Sequence, residues 1–216
     1  MQTETAFRLG IPTLDERIGT IKLGYLVLIE GDIETYPYLL LHRVGLTIAR
    51  DYGLKITYIV MLDDYDEYLE ASANVGLDIE SLMYKGLWKY IRADSFESIV
   101  KQIMNESEKT VLLVDATSAR IRFSPKELAF IKNTLKNNNL ALLLAITPNL
   151  LDKEGLAVAE KVANIVIKLS LEIVSDEPKY VMKLVKHKTM PKNAIVLTYS
   201  VGALGVRIER LQKIPS

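Results

Sequence analysis

Cysteine is absent from the 216 residues, which removes disulfides, thiol nucleophiles and thiolate metal sites together. Histidine is nearly so: His42 and His187 are the only two, which argues against a histidine-rich centre, and no metal site is assigned. An excess of charge of either sign is also lacking, since 27 lysines and arginines stand against 27 aspartates and glutamates. That balance argues against the basic surface of a protein that coats nucleic acid and against an acidic disordered tail. A local basic patch remains open. Apolar runs are short: Leu39–Leu41 and Ala141–Ile146 fall far below the roughly 20 residues that span a bilayer. The opening residues, MQTETAFRLGIP, carry no apolar run after a basic start, so the sequence predicts no secretory leader, no membrane contact and a cytoplasmic protein.

What is present is a core-rich chain, 49% hydrophobic, long enough for one α/β domain over residues 1–216. Heavy use of Ile, Leu, Val, Lys, Glu and Tyr is compatible with a thermophilic source. Short apolar runs alternate with helical patterns, the arrangement of a parallel sheet covered on both faces. Strands are predicted at Tyr25–Glu30, Lys55–Leu62, Trp88–Arg92, Thr110–Ala116 and Ala141–Thr147. A helix should run from Pro37 to Tyr52 and stop at Gly53. Asp64 with Glu67, Asp94 with Glu97, and Ser124 with Pro125 and Glu127 read as starts of further helices. From Asn164 the pattern turns to strands: Ile165–Ser170, Tyr180–Lys188, Ala194–Ser200 and Val206–Leu211. Alternation such as Tyr180-Val-Met-Lys-Leu-Val-Lys suits antiparallel strands with one wetter face.

The first strand, a polar turn and a helix form the setting of a phosphate-binding loop, which needs small residues so that backbone N–H groups can surround the phosphates. Here the turn reads Gly31-Asp-Ile-Glu-Thr-Tyr-Pro-Tyr38, and of G-x-x-x-x-G-K-[ST] only the first glycine fits. The chain nevertheless resembles the RecA-like ATPases, most of all the KaiC and archaeal RadA-paralogue group. The resemblance begins at Leu9-Gly-Ile-Pro-Thr-Leu-Asp-Glu-Arg-Ile-Gly19, which is similar to that family's opening segment, and continues through Lys22–Asp32. Asp63-Asp64 and Ala73–Asp78 resemble its E-E-s and a-x-x-x-G-w-D stretches. Val111–Asp115 looks like its Walker B strand, Lys186-His-Lys188 like its K-x-R segment, and Tyr199–Val206 like its closing strands. This covers almost the whole chain and implies a RecA-like doubly wound fold: a mainly parallel sheet with helices on both faces and an antiparallel C-terminal extension.

The departures fall on the chemistry. The family's second loop glycine becomes Tyr36, its phosphate-binding lysine Pro37 and its magnesium-binding Ser/Thr Tyr38. A proline offers neither N–H nor charge, a tyrosine hydroxyl lies beyond a serine's, and a Cβ crowds the space left for phosphate. Glu34, beside Thr35, brings a carboxylate where a phosphate would lie; like charges about 4 Å apart repel by about 4 kcal/mol at an effective dielectric of 20. Pro37 still suits the first turn of a helix. The loop therefore predicts a pseudo-ATPase with ATP and magnesium lost, leaving Asp63, Asp64 and Asp115 as vestigial catalytic carboxylates. Asp64 has an alternative as an N-cap, and Asp115 as an acceptor of backbone or hydroxyl hydrogen bonds.

Lys186 and Lys188 resemble residues that in ring-forming relatives reach the neighbouring subunit's nucleotide, with solvated strand lysines as the alternative. Arg120 and Arg122 follow the Walker B-like strand where recombinases place a DNA-contacting loop, with a plain surface loop as the alternative, and the second such region, Pro148–Asn164, carries charges that cancel. With Lys183 and Lys192 these form the DNA-contact or subunit-contact set. His42 is expected on a helix edge. Eleven tyrosines against four phenylalanines include Tyr36, Tyr38, Tyr65 and Tyr68 around the turn, filling a nucleotide's volume or offering a contact surface. The resemblance implies a binding partner, regulatory or structural, of an active RecA/RadA paralogue in DNA recombination and repair. The alternatives are a nucleotide-binding ATPase with a modified loop and a single-stranded-DNA accessory protein. Charge should be acidic at the turn and basic over Lys183–Lys192.

Overall fold

The computed structural model describes residues 5–61, 65–74, 76–174, 177–188, 195–202 and 205–208. Two short strands, β1 (Ala6–Phe7) and β2 (Ile21–Lys22), pair antiparallel around helix α1 (Pro12–Ile18). The carboxylate of Asp15 ties this segment down, accepting the N–H groups of Leu9 at 2.8 Å and Ile11 at 2.9 Å.

Strand β3 (Leu26–Glu30) lies inside a nine-stranded sheet, between and parallel to β7 (Ala141–Ile146) and β8 (Ile165–Val174). Beyond β7 follow β6 (Thr110–Ala116), β4 (Lys55–Met61) and the edge strand β5 (Trp88–Ala93), all parallel. On the other side the chain folds back antiparallel through β9 (Glu177–His187), β10 (Ile195–Gly202) and β11 (Gly205–Ile208). This is the doubly wound sheet with an antiparallel C-terminal extension that the sequence predicts.

Because neighbouring residues of a strand point to opposite faces, β3 feeds two cores at once. Val27 and Ile29 join the core under α2 (Pro37–Tyr52), α3 (Tyr65–Asn74) and α4 (Ile79–Tyr84), while Leu26 and Leu28 join the core under α5 (Phe96–Asn105), α6 (Pro125–Asn137) and α7 (Lys153–Val162). Helix α2 begins on Pro37 and ends at Gly53, whose φ of 63° closes the helix in the left-handed region. Helix α6 opens on a reciprocal capping box, Glu127 N–H donating to Ser124 Oγ and Ser124 N–H to the Glu127 carboxylate.

Two local expectations are corrected. The cap of α5 is Ser95, not Asp94: the extended residue Ser95 exchanges hydrogen bonds with Ser98, while the exposed carboxylate of Asp94 faces Arg92 at 3.9 Å. The stretch after Pro148 is a 3-10 turn and then a helix, α7, whose cap Asp152 accepts the N–H of Gly155 at 2.6 Å. Helices α1 and α4 carry too few residues to show a period. No helix among the described residues is long and apolar enough to cross a membrane.

Candidate functional site

The C-terminal ends of β3, β6 and β7 converge where a doubly wound sheet places its ligand. Between Gly31 and Tyr36 the chain winds into a 3-10 turn, Ile33–Thr35, before α2 starts. The Thr35 N–H donates to the carbonyl of Asp32 (2.8 Å) and the Tyr36 N–H to that of Ile33 (3.0 Å), so these amides close the turn instead of facing an anion. The N–H of Gly31 donates to the carbonyl of Ile146 at 3.0 Å. Side chains crowd the turn's interior. A Cβ on Gly31 would stand 2.5 Å from Thr35 Oγ1 and 3.2 Å from the Pro37 ring. Thr35 Oγ1 itself donates to the carbonyl of Asp32 at 2.7 Å.

Tyr36 has a φ of 53°, left-handed backbone that costs an L residue about 1–2 kcal/mol. A glycine would adopt this conformation without strain. Its ring lies edge-on to Tyr38 at 6.2 Å and to Tyr180 at 5.8 Å, and Tyr180 stacks on Tyr199 at 5.3 Å. The buried Tyr199 hydroxyl donates to the carbonyl of Thr35 at 2.8 Å, pinning the turn to β10. From Tyr38 the rings continue through His42 (6.0 Å) and Tyr58 (4.7 Å) to Trp88 (6.0 Å). Seven rings therefore run without interruption from β10 across the turn to β5. His42 is buried in this column, not on a helix edge, because α2 presses that face onto the sheet.

Asp115, at 5% exposure, accepts from the Thr117 N–H (3.1 Å) and hydroxyl (2.7 Å) on one oxygen and from the Tyr58 hydroxyl (3.2 Å) on the other. Thr147 closes the gap between strands, its hydroxyl lying 2.7 Å from the carbonyl of Thr117 and 3.2 Å from that of Gly31. Next to the turn, Glu30 is buried and pairs with Lys168 at 3.0 Å; Lys168 also reaches Glu160 at 2.5 Å. Burial lifts the Glu30 carboxyl above its usual range against the pull of Lys168. Lys168 is thus shared by two carboxylates, neither of them among the acids expected to converge at the turn.

Asp32 and Glu34 are exposed. Asp63, Asp64 and Lys192 lie outside the described residues, as do the side chains of Tyr65 and Tyr68. Arg120 and Arg122 are exposed and alternate with buried Ala119, Ile121 and Phe123. Lys183 pairs with Glu172 at 2.7 Å. Lys186, expected as a contact residue, turns inward, its ammonium donating to the carbonyls of Glu160, Lys161 and Ala163 at 2.6–2.8 Å. It caps the negative end of α7. Sequence reading missed Tyr180, Tyr199, Thr147 and Lys168; a threonine directly after a buried strand was the one available signal. Among the described residues, no three His, Asp or Glu side chains are grouped so as to hold a metal ion.

No sequence family profile matches the chain, and no curated protein does. Among solved structures, the flagellar accessory protein FlaH of Methanocaldococcus jannaschii superposes with a TM-score of 0.77 at 19% identity, over 97% of this chain and 100% of that one. A KaiC-like protein of the hyperthermophilic archaeon Pyrococcus horikoshii OT3 gives the same TM-score and identity over 96% and 100%. The fold of this chain is RecA-like, of the KaiC kind.

Proposed function

We propose that this chain is a non-hydrolysing protein of RecA-like fold that acts as a regulatory or structural binding partner. One observation carries the reading: the turn after β3 is closed on itself, with Thr35 and Pro37 packed against Gly31 and the Thr35 and Tyr36 amides bound to its own carbonyls. Asp115 is engaged by Thr117 and Tyr58. Tyr36 and Tyr38 stand in place of a glycine and a hydroxyl ligand, and the ammonium of Lys168 is held between Glu30 and Glu160. A nucleotide would have to break the turn and displace the Tyr36–Tyr180 contact to enter.

The partner is a second protein, in the first instance an active RecA-fold paralogue. The sequence resemblance points to recombination and repair, and the likeness to a flagellar accessory protein supports an accessory role in another assembly; both readings have the chain bind a protein. The exposed pair Arg120 and Arg122 favours a second reading, single-stranded DNA contact, whose affinity would fall steeply with salt.

The test is thermal melting with ATP and magnesium beside sodium tripolyphosphate as a polyanion control. A ligand at 100 times its dissociation constant adds about 2.7 kcal/mol, a clear rise in melting temperature. We expect no rise specific to ATP with magnesium. A rise that tripolyphosphate does not reproduce overturns the reading.

A further inference from the structure

A second concavity, of about 960 Å³, opens at the N-terminal end of β3, among the turns that precede β3, β6, β7 and β8. The strand's five residues separate it from the Gly31 turn by about 17 Å at 3.3 Å per residue. Lys109, Lys132, Lys136 and Lys188 line it, against the single carboxylate of Glu108. Helix C-termini also gather at this end of a parallel sheet and attract cations, so the lysines that serve them must be separated from the rest. The end of α7 takes two: Lys132 donates to the carbonyl of Val162 at 2.5 Å, and Lys186 to the three carbonyls described above. The ammonium groups of Lys109, Lys136 and Lys188 make no hydrogen bond or ion pair among the described residues.

The floor is rigid. Asn164, 3% exposed, donates its N–H to the carbonyl of Leu26 (2.8 Å), and its Oδ1 accepts the N–H of Leu26 (3.0 Å). Its own carbonyl accepts the N–H of Lys188 at 3.0 Å. The carboxamide orientation is fixed by that Oδ1 contact, which leaves Nδ2 as a donor without a partner among the described residues. The rim is tied as well: Lys109 N–H donates to the carbonyl of Asn139 and Gly24 N–H to that of Leu140. Burial, and then repulsion from Lys188 and Lys186, lowers the pKa of Lys132, as expected where cations gather with few counter-ions.

We propose that this cavity binds a compact polyphosphate anion, gripped by Lys109, Lys136 and Lys188 around the fixed carboxamide of Asn164. Its volume is that of a small-molecule site, and its lysines, grouped around one concavity instead of along an extended track, suit a compact anion better than a phosphate backbone. The site is independent of the turn after β3 and of any nucleotide chemistry there.

Calorimetric titration of the full chain with sodium tripolyphosphate, without magnesium and at low salt, tests it. The expected result is one saturable site. Asn164→Asp keeps an oxygen for Leu26 but replaces the donor with a charge, and the exposed Lys136→Glu inverts one cation; each should weaken binding by about tenfold or more. Lys183→Ala, on β9 and paired elsewhere, should leave it unchanged. No saturable binding, or equal binding by the two cavity variants, overturns the proposal. So does a single-stranded oligonucleotide that binds far more tightly than tripolyphosphate and loses that advantage in the same variants. Thermal melting establishes that each variant is folded, and Lys136→Glu carries the test alone should Asn164→Asp not fold.

Discussion

The imidazole of His42 sits 1% exposed between Tyr38 and Tyr58, and burial pulls its pKa down to about 3. Between that value and the 6.5 of an unfolded histidine, the unfolded chain binds the extra proton. Stability is therefore full above pH 6.5 and is lost as pH falls towards 3, by up to about 1.4 kcal/mol per pH unit for this one group. His42→Phe keeps a ring in the column and removes the titration. Its urea midpoint should vary less with pH over 3–6.5 than that of the parent, and equal slopes would contradict the assignment. At this scale the sequence was legible where chemistry is local. That Tyr36, Pro37 and Tyr38 do not fit a G-K-[ST] ending is visible in the letters alone. The inward turn of Lys186 is not, because its acceptors lie 23 to 26 positions away and belong to a helix that has to form first.

Helix α2 approaches the sheet so closely that a Cβ on Gly45 would meet Leu113 Cδ1 at 2.5 Å and Trp88 Cη2 at 2.7 Å. Replacing a helical glycine with alanine ordinarily gains about 1 kcal/mol. Here overpacking should win, at about 1–3 kcal/mol, so Gly45→Ala should lower the urea midpoint; a rise would show that the ring of Trp88 can move aside. Elements whose ends carry their own chemistry were readable: α2 between Pro37 and Gly53, α6 behind its capping box, β6 as an unbroken apolar run. Helix α7 was not, since Gly155, Ala157 and Ala159 dilute its apolar stripe and its charges cancel. At α5 two adjacent residues could cap, and only the backbone decides: Ser95 is extended, with φ −154° and ψ 162°.

Over the whole molecule, charge is arranged along the strand direction in a way no linear count reveals. Lys168 reaches Glu30 across 138 positions, and Lys109, Lys132, Lys136 and Lys188 meet only because four connections end at the same edge of the sheet. The expectation of an acidic turn and a basic stretch over Lys183–Lys192, parts of which lie outside the described residues, takes no account of such pairings, because partners are set by strand order, 11-10-9-8-3-7-6-4-5. That order also makes β3 dependent on late sequence. Leu26 pairs with Leu142, and Val27 with Ile165. A chain truncated after Asn139 lacks both neighbours of β3 and should show no cooperative thermal transition; a cooperative melt would mean that the early strands hold without them. In time, the same arrangement is a delay. At about 5–20 residues per second of synthesis, an apolar strand complete by residue 30 waits roughly 6 to 23 s for its first neighbour to emerge.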